Sequence, residues 1–372
     1  MSTTISVKLF MVYIAAATLI YTAHADESKL DAPNVKVIKP RRYRVDLADP
    51  PYLRYIRILV DEAETLQNLY KAALNDVLNG PWYVKAIYKF SSLFTDFILD
   101  QLRPEIAQEL KGGSMITGIP LHDCLMMNLL YEINPYGCTG IVYADESGQI
   151  YHGRNLDWGI PGMGEATIQI DYQNGTNEVI FSSITWPGYI GSLTGQRYGA
   201  FSVQLNQRAG NYFSILWSMI TSMFSEFSMG AFLIRDTLEY AETYDEALEA
   251  LTKWKMDESS YLIIGGTNST GAVLTRQGKK AIHTRHLWQG GNATWYLVQT
   301  NDDWWLPPTD ARRNAVIRYM EQYNGNNMTV DAVTHILTTP PVLQTNKTCF
   351  TAVMCASCDS DFLFDHLIPH HW

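Results

Sequence analysis

The run Gly137-Cys138-Thr139-Gly140-Ile141-Val142 is followed, after the turn residues Glu146-Ser147-Gly148, by Tyr151-His152-Gly153-Arg154-Asn155-Leu156-Asp157. We interpret the two runs as neighbouring β-strands separated by a turn. The first strand carries a cysteine, and the second carries an arginine and an aspartate three residues apart. This set of side chains is a candidate apparatus for nucleophilic catalysis.

A cut between Gly137 and Cys138 would make Cys138 an N-terminal residue. Its thiol would then be the nucleophile, and its own α-amine the base. An α-amine has a pKa of about 7.7–8, low enough to accept a proton from a thiol with a pKa of about 8.5. Arg154 and Asp157 could hold the amine, the substrate carbonyl or both. Because the amine is the base, His152 has no necessary catalytic role, and we expect it to be structural.

Each of these residues also has a simpler interpretation. A free cysteine such as Cys138 is commonly a buried structural thiol. Arg154 and Asp157 could be charges of a surface strand. On a regular strand, residues three apart face opposite sides, so a bend near Asn155 is expected if both are to reach Cys138.

Further segments, in the same order, make the chain resemble the acid ceramidase and N-acylethanolamine acid amidase family, which are lysosomal N-terminal-nucleophile hydrolases. The resemblance extends from about Val45 to about Thr351. It is carried by the Cys138 to Asp157 stretch and by the following blocks: Gly188-Tyr189-Ile190-Gly191, Leu193-Thr194-Gly195, Gly265-Gly266-Thr267, Val298-Gln299-Thr300-Asn301, Trp304, Arg312 and Arg313. Five blocks in order are far more specific than one tetrapeptide.

The resemblance implies an α+β fold in which two stacked antiparallel sheets lie between helical layers, the αββα sandwich. It implies residues 1–25 as a signal peptide, 26–137 as a helical α subunit released by autocleavage, and 138–372 as the catalytic β subunit. By the same resemblance, Asp157 binds the α-amine of Cys138, Arg154 orients the nucleophile, Asn301 stabilises an oxyanion, and Arg312 completes the site.

Two positions depart from the family pattern. Gly137 stands before the cut, where relatives generally carry a larger apolar residue, and its freedom of backbone angles could help to strain the scissile peptide. Gln207 stands where relatives usually have an acidic residue implicated in activation. Glutamine keeps the shape but cannot change its charge with pH, so we predict maturation over a broader pH range.

The composition fits a lumenal globular protein. Of 372 residues, 47% are apolar and 18% charged, and the net charge of −10 argues against a nucleic-acid-binding protein. The first residues are typical of a secretory signal peptide: Lys8, an apolar run over 9–21 and the small-residue site Ala23-His24-Ala25. Five glycosylation sequons follow, which suits a secreted or lysosomal glycoprotein: Asn174, Asn268, Asn292, Asn327 and Asn346.

The five cysteines are an odd number. If Cys138 stays free, four remain for disulfides in an oxidising compartment, with three possible pairings: Cys124, Cys349, Cys355 and Cys358. A metal site of Cys355 and Cys358 with His366, His370 and His371 is rejected, because the gap from Cys358 to His366 is short for a zinc finger. We expect no metal and no cofactor.

Local patterns predict helices first and strands later. Residues 26–42 read as a flexible lead-in, and Val45 to Leu47 as a short strand of the main sheet. Tyr52 to Glu109 and Pro120 to Tyr131 are helical in pattern, and a further helical block spans Asn211 to Trp254, with a capping box from Thr243 to Glu246. Strands are expected around an Asn174-Gly175 hairpin turn and at 261–264, 272–275 and 295–298.

Two apolar helices, Trp82 to Ile98 and the uncharged stretch 209–225, suit a surface that docks on a lipid bilayer; the alternative for each is a core helix.

The hypothesis is therefore an α/β heterodimeric lipid amidase that hydrolyses N-acylethanolamines. Leu121-His122-Asp123-Cys124-Leu125 and Thr194-Gly195-Gln196 favour that branch of the family. Ser192-Leu193-Thr194 and Val298 to Asn301 lean toward acid ceramidase. Two further alternatives are a non-catalytic lipid-binding glycoprotein and a bile-salt or penicillin acylase-like hydrolase of soluble amides.

Overall fold

The structure is a computed structural model that describes residues 36–37, 39–133, 137–208, 229–256, 258–288, 294–323, 328–358 and 367–368. The predicted signal peptide and the predicted apolar helix over 209–225 lie outside these residues. Outside them also lie Asn292, Asn327, His366, His370 and His371.

Two β-sheets form the centre of the fold. The first has six strands in the order β1-β14-β13-β4-β3-β12. Its strands are β1 (Lys36–Val37), β3 (Gly137–Ala144), β4 (Ile150–Asp157), β12 (Tyr296–Gln299), β13 (Thr348–Met354) and β14 (Leu367–Ile368). All of its pairs are antiparallel. The cysteine-bearing strand β3 therefore lies inside this sheet, between β4 and β12.

The second sheet has eight strands in the order β11-β10-β9-β8-β7-β6-β5-β2. They are β2 (Arg41–Asp46), β5 (Ile168–Gln173), β6 (Phe181–Thr185), β7 (Thr194–Arg197), β8 (Phe201–Gln207), β9 (Ser260–Gly265), β10 (Gly271–Gln277) and β11 (Lys280–His286). Strand β2 pairs with β5 in parallel, while the other neighbours are antiparallel.

The layer between the sheets is partly polar. His152 of β4 contacts Ser202 Oγ at 3.0 Å and Gln204 Oε1 at 2.9 Å, both on β8. A Cβ at Gly140 would lie 2.5 Å from the Gln204 amide, so a glycine is needed where the two sheets approach. Burial lowers the pKa of His152 to about 3, which keeps the ring neutral and confirms its structural role.

Helices cover both outer faces. Helices α9 (Arg312–Tyr323) and α10 (Val330–Thr338) pack on the first sheet through a cluster that includes Ile141, Val316 and Val333. Helices α7 (Gly230–Tyr240) and α8 (Tyr244–Lys253) pack on the second sheet. The predicted αββα order is therefore confirmed. Of the predicted capping box, the N-cap half is present, since Thr243 Oγ1 accepts the Glu246 N–H at 3.2 Å, while the Glu246 carboxylate accepts the Glu242 N–H at 2.8 Å.

The residues before the predicted cut are mainly helical, as expected. After a 3₁₀ turn at Pro51–Leu53 come α1 (Ile56–Asp61), α2 (Ala63–Asn79), α3 (Trp82–Leu93), α4 (Thr95–Leu99), α5 (Pro104–Thr117) and α6 (Leu121–Ile133). Among the described residues, no helix is long and apolar enough to cross a bilayer.

The predicted lead-in over 26–42 was partly wrong. Residues 36–37 form β1, and the strand predicted at Val45 to Leu47 begins earlier, at Arg41, and ends at Asp46. Arg42 donates to Asp171 of the neighbouring β5 at 2.5 Å. The polar, basic composition of this segment is typical of a loop. Here β5 supplies the backbone hydrogen bonds and the Asp171 charge that stabilise it as a strand.

One disulfide lies within the described residues, between Cys355 and Cys358. Cys124 and Cys349 are free thiols. Each arrangement considered from the sequence contained two disulfides, and none of them forms in full, because Cys124 and Cys349 are not bonded. Cys349 is buried with its sulfur 3.1 Å from the Trp158 carbonyl oxygen, a contact made with the main chain and not with a second sulfur.

A buried ion pair joins the early helices to the sandwich. Arg235 of α7 is fully buried and contacts Glu109 of α5 at 3.2 Å, the Tyr55 hydroxyl at 2.7 Å and the ring of Tyr172 at 4.7 Å. Arg54 reaches the same Glu109 carboxylate at 2.8 Å. Both guanidinium groups thus share the Glu109 carboxylate, and Arg235 has a second carboxylate partner in Glu239 at 3.5 Å.

We expect Glu109→Ala to lower the free energy of unfolding by about 3–5 kcal/mol, because it leaves two guanidinium groups without their buried carboxylate. Urea denaturation of the full chain followed by tryptophan fluorescence measures this. Glu105→Ala on the same helix is the matched control, since its carboxylate is 44% exposed and should cost less than about 1 kcal/mol. Equal losses in the two variants would contradict the proposed weight of Glu109.

Candidate active site

Cys138 is the second residue of β3 and is completely buried. Its side chain lies on the face of the first sheet that meets the second sheet. The Tyr131 hydroxyl, from α6, is 3.1 Å from the Cys138 sulfur and donates to the Leu205 carbonyl oxygen at 3.0 Å. With its proton directed to Leu205, the hydroxyl oxygen can accept the thiol hydrogen. Tyr131 therefore holds the thiol in place.

Arg154 lies on the same inner face. Its guanidinium donates to the Leu205 carbonyl oxygen at 2.9 Å and to Asn206 Oδ1 at 3.3 Å, and it approaches the Cys138 sulfur at 3.8 Å. The charge is fully buried and also faces the ring of Phe350 at 5.9 Å. A positive charge at this distance can stabilise negative charge that develops on the sulfur during attack.

Asp157 lies on the opposite face of β4. Strand β4 pairs with β3 from 137 to 144 without a break in register, so the bend expected near Asn155 is absent and that prediction was wrong. Regular alternation directs Arg154 to the thiol and Asp157 to the main chain around the cut. The Asp157 carboxylate accepts from Arg312 at 3.2 Å and from the Thr348 hydroxyl at 2.6 Å.

The electrostatics of Asp157 reflect two opposing effects. Burial raises the pKa of the Asp157 carboxyl above its ordinary value, while Arg312 and the Thr348 hydroxyl favour the charged form. Asp310 supports Arg312 in turn, accepting from its guanidinium at 2.6 Å. The result is a chain of ion pairs that leads from the outer surface to the strand carrying Cys138.

Asn301 and Arg312 hold the main chain of Cys138. Asn301 Oδ1 accepts the Cys138 N–H at 2.7 Å and a guanidinium N–H of Arg312 at 3.0 Å. Arg312 also donates to the Cys138 carbonyl oxygen at 2.9 Å. The amide nitrogen of Asn301 donates to the Gln207 carbonyl oxygen at 2.8 Å. Both peptide groups of Cys138 are thus fixed by side chains that lie far away in sequence.

Gln207 lies at the end of β8 and contacts the site through its main chain. Its side-chain amide donates to the Tyr131 carbonyl oxygen at 3.4 Å. Of Gln207 and the neighbouring Asn206, it is Asn206 whose side chain contacts Arg154. The expectation of a broader pH range for maturation stays a prediction.

A cleft of about 500 Å³ opens beside the predicted cut. Its lining includes Gly137, Asp157, Asn301 and Arg312, together with polar, charged and apolar side chains from other elements: Asp76, Pro81, Tyr83, Ile160, Asp310, Gln344 and Lys347. The cleft reaches the peptide before Cys138 and not the buried thiol itself. Within the described residues, no group of three histidine, cysteine or acidic side chains is arranged to bind a metal ion.

Sequence reasoning missed Tyr131, Thr348 and Asp310. Tyr131 is only seven residues from Cys138, but a tyrosine in an apolar helix gives no signal of a polar contact. Thr348 lies 191 residues from Asp157. Of the predicted glycosylation sequons, Asn174, Asn268 and Asn346 fall in the described residues and are exposed, as the modification requires.

Several known proteins are similar to this chain in sequence. The sequence profile of "Linear amide C-N hydrolases, choloylglycine hydrolase family" matches residues 138–286, a range that begins at Cys138. The Caenorhabditis elegans protein described as N-acylethanolamine-hydrolyzing acid amidase is 33% identical over 331 residues, which cover 85% of this chain and 89% of the relative. Human acid ceramidase is 30% identical over 321 residues, covering 81% and 80%.

A solved structure agrees as well. The Caenorhabditis elegans N-acylethanolamine-hydrolyzing acid amidase ortholog matches with a TM-score of 0.55 and 32% identity, covering 60% of this chain and 94% of that one. The chain is thus a hydrolase of carbon–nitrogen bonds in linear amides, with an N-terminal-nucleophile fold. More narrowly, it belongs to the family of N-acylethanolamine-hydrolyzing acid amidases and acid ceramidases.

The glycine before the nucleophile has a steric reason in this chain. A Cβ at Gly137 would lie 2.7 Å from Asp157 Oδ2 and 3.2 Å from the Arg312 guanidinium. We expect Gly137→Ala to displace that ion pair and to slow cleavage at the 137–138 bond by about 10-fold or more, as misplacement of a reacting group does. Intact-mass analysis of a time course measures the rate.

Gly159→Ala is the matched control, because Gly159 lines the same cleft and a Cβ there meets nothing within 4 Å. It should cleave at the rate of the unmodified chain. A Gly137→Ala variant that keeps that rate would show that Asp157 and Arg312 need not hold their present positions.

Proposed function

We propose that this chain is a lipid amidase that first cuts its own Gly137–Cys138 bond and then hydrolyses N-acylethanolamines to a fatty acid and ethanolamine. The observation that supports it best is the set of contacts on Cys138. Its thiol is held by Tyr131 and approached by Arg154, while Asn301 and Arg312 hold its main chain. No other described cysteine has both a guanidinium at its sulfur and side chains at both of its peptide groups.

Maturation begins with attack of the Cys138 sulfur on the Gly137 carbonyl carbon. The thiol proton passes to the departing amide nitrogen, which becomes the α-amine of Cys138, and a thioester links the two fragments. Water then hydrolyses the thioester, giving a Gly137 carboxylate and a free thiol. The cut also frees the chain end at Gly137, which lines the cleft, and movement of that end would give the buried thiol access to the cleft.

In the mature enzyme the α-amine accepts the thiol proton, and the thiolate attacks the amide carbonyl of the substrate. Asn301 Oδ1, which accepts the Cys138 N–H at 2.7 Å in the uncut chain, is positioned to keep the amine in place, with Asp157 nearby. The Asn301 amide nitrogen would donate to the oxyanion in exchange for its present bond to the Gln207 carbonyl oxygen. The leaving amine takes the proton, and water releases the fatty acid from the thioester.

Acid ceramidase activity is the second candidate, because the acid ceramidase relatives, at 30–31% identity, are nearly as similar as the acid amidase at 33%. The head group is the difference between the two substrates. Parallel assays of N-palmitoylethanolamine and ceramide with the matured protein, from about pH 4.5 to 7, decide between them. Predominant ceramide turnover would replace the first assignment with the second.

Cys138→Ala should remain a single chain, whereas the unmodified protein should give an α chain ending at Gly137 and a β chain of residues 138–372. Intact-mass analysis after incubation at acidic pH distinguishes the two. Cys124→Ala is the control, since Cys124 is a free thiol away from the site, 3.7 Å from the Ile119 carbonyl oxygen. Cleavage that persists in Cys138→Ala would exclude self-processing by this thiol.

We further propose that the protein is lysosomal, stays an α/β heterodimer and touches membranes through α3 and α4. Trp82 is 68% and Leu93 69% exposed, and Phe94 and Phe97 are also exposed, whereas Val84 and Ile87 face the core. Lys85 and Lys89 are exposed on the same helix as Trp82. Aromatic and aliphatic side chains beside lysines are typical of helices that lie in a bilayer interface.

We expect Trp82→Ser with Leu93→Ser to weaken binding to anionic phospholipid vesicles by about 10-fold or more. Each substitution removes apolar surface that membrane binding would transfer out of water. Vesicle cosedimentation measures it. Val60→Ser with Met115→Ser is the control, because these side chains are 61% and 80% exposed on α1 and α5. Turnover of a short soluble amide should be unchanged in both, and equal vesicle binding in both would refute the docking surface.

A further inference from the structure

The Tyr131 hydroxyl is a polar group at the thiol that comes from the other side of the proposed cut. Tyr131 lies on α6, before Cys138 in the chain, and would therefore belong to the α chain after cleavage. Its oxygen is 3.1 Å from the Cys138 sulfur, and both side chains are completely buried. At this distance the hydroxyl and the sulfur can form a hydrogen bond in which either atom is the donor.

The end of α6 is anchored independently of the bond that is cut. The ring of Tyr131 packs edge-on against Trp158, with 5.7 Å between the ring centroids. One turn earlier, the Asn128 amide nitrogen donates to the Gly188 carbonyl oxygen at 3.0 Å, and Asn128 Oδ1 accepts the Ile190 N–H at 2.7 Å. These contacts reach the loop between β6 and β7 and do not pass through the cut bond. The hydroxyl should therefore keep its place beside the sulfur in the mature enzyme.

The Leu205 carbonyl oxygen accepts two donors at this point. Tyr131 donates to it at 3.0 Å, and Arg154 donates to it at 2.9 Å. If the tyrosine proton turned away, this carbonyl would still have the guanidinium, so the rotation would leave no buried acceptor unpaired. The hydroxyl proton can thus turn between the Leu205 carbonyl oxygen and the sulfur.

Tyr131 keeps its proton throughout the reaction. Burial, followed by the charge of the neighbouring Cys138, raises the pKa of the Tyr131 hydroxyl well above its ordinary value of 10. A phenol that stays protonated cannot take the thiol proton, but it can donate a hydrogen bond to a negative charge. The α-amine therefore remains the base, as proposed above.

We propose that Tyr131 is a catalytic residue that the α chain contributes to the mature enzyme, and that its hydroxyl turns from Leu205 to donate to the sulfur as negative charge develops there. The α-amine takes the thiol proton, the sulfur bonds to the substrate carbonyl carbon, and no proton leaves Tyr131. Arg154 approaches the same sulfur at 3.8 Å, so the developing charge has two donors. This role rests on the hydrolysis proposed above, because it acts on the nucleophile of that reaction.

Tyr131→Phe removes the hydroxyl and keeps the ring that packs on Trp158. Because a hydrogen bond to a charged group is lost, kcat/KM of the matured protein for a short soluble amide should fall by about 10- to 100-fold, mainly through kcat. The limb of the pH profile on which activity rises should also move to higher pH by about one unit, since the charged sulfur loses a donor. Steady-state kinetics from about pH 4.5 to about pH 8 measure both effects.

Tyr172→Phe is the matched control. Tyr172 is also buried, and its hydroxyl bonds to that of Tyr55 at 3.1 Å in the network around Arg235. This variant should keep the kcat/KM and the pH profile of the unmodified enzyme. An unchanged kcat/KM in Tyr131→Phe, or a loss without movement of the pH profile, would overturn the catalytic role.

A second variant covers the case in which Tyr131→Phe stays uncut, because the hydroxyl also contacts the thiol of the precursor. 3-Fluorotyrosine in place of Tyr131 keeps the hydroxyl and makes it a stronger donor, so its pH profile should move toward lower pH. An unmoved profile would contradict the role. An unmodified chain that neither cuts itself nor hydrolyses an amide would contradict the proposed function as well, whereas normal activity with unmoved profiles in both variants would contradict only the role of Tyr131.

Discussion

A charged guanidinium, that of Arg154, lies completely buried between the two sheets. Removing such a charge from water is costly unless hydrogen bonds replace the lost hydration. Here the Leu205 carbonyl, Asn206 and the ring of Phe350 provide part of that replacement, while Arg154 Nε has no hydrogen-bond partner among the described residues. The requirement fixes the spacing of the sheets at β4 and β8, and the same guanidinium sets the charge around Cys138. Stability and chemistry thus depend on one side chain.

Strand alternation divides the site between two faces of the first sheet. On the inner face, Arg154 and Tyr131 contact the thiol; on the outer face, Asp157 pairs with Arg312 at the beginning of α9. The peptide at the cut lies between the two groups. A single regular strand, β4, can therefore act on the sulfur and on the main chain at once. The register of β4 with β3 is unbroken, and the irregularity beside Asp157 lies on the other neighbour, β13, between Thr348 and Phe350.

Sequence alone identified the features that depend on neighbours in the chain. The Asn174-Gly175 hairpin between β5 and β6 and the N-cap at Thr243 are present, because turn and cap chemistry is local. The positions of Cys138, Arg154 and Asp157 on adjacent strands were also predictable. Tyr131 against the thiol and Thr348 against Asp157 were not, since such contacts depend on how distant elements pack. Segments 36–37 and 41–44 read as polar lead-in because their partner strands lie more than 100 residues away.

The early part of the chain adds a strand to the edge of each sheet: β1 pairs with β14, and β2 pairs with β5 through six residues in parallel. A fragment of residues 138–372 made by itself would leave the edge of β5 bare, with unpaired N–H and C=O groups available to any other strand. Residues 138–372 therefore do not complete either sheet by themselves, and their production without the preceding residues would favour aggregation through these edges.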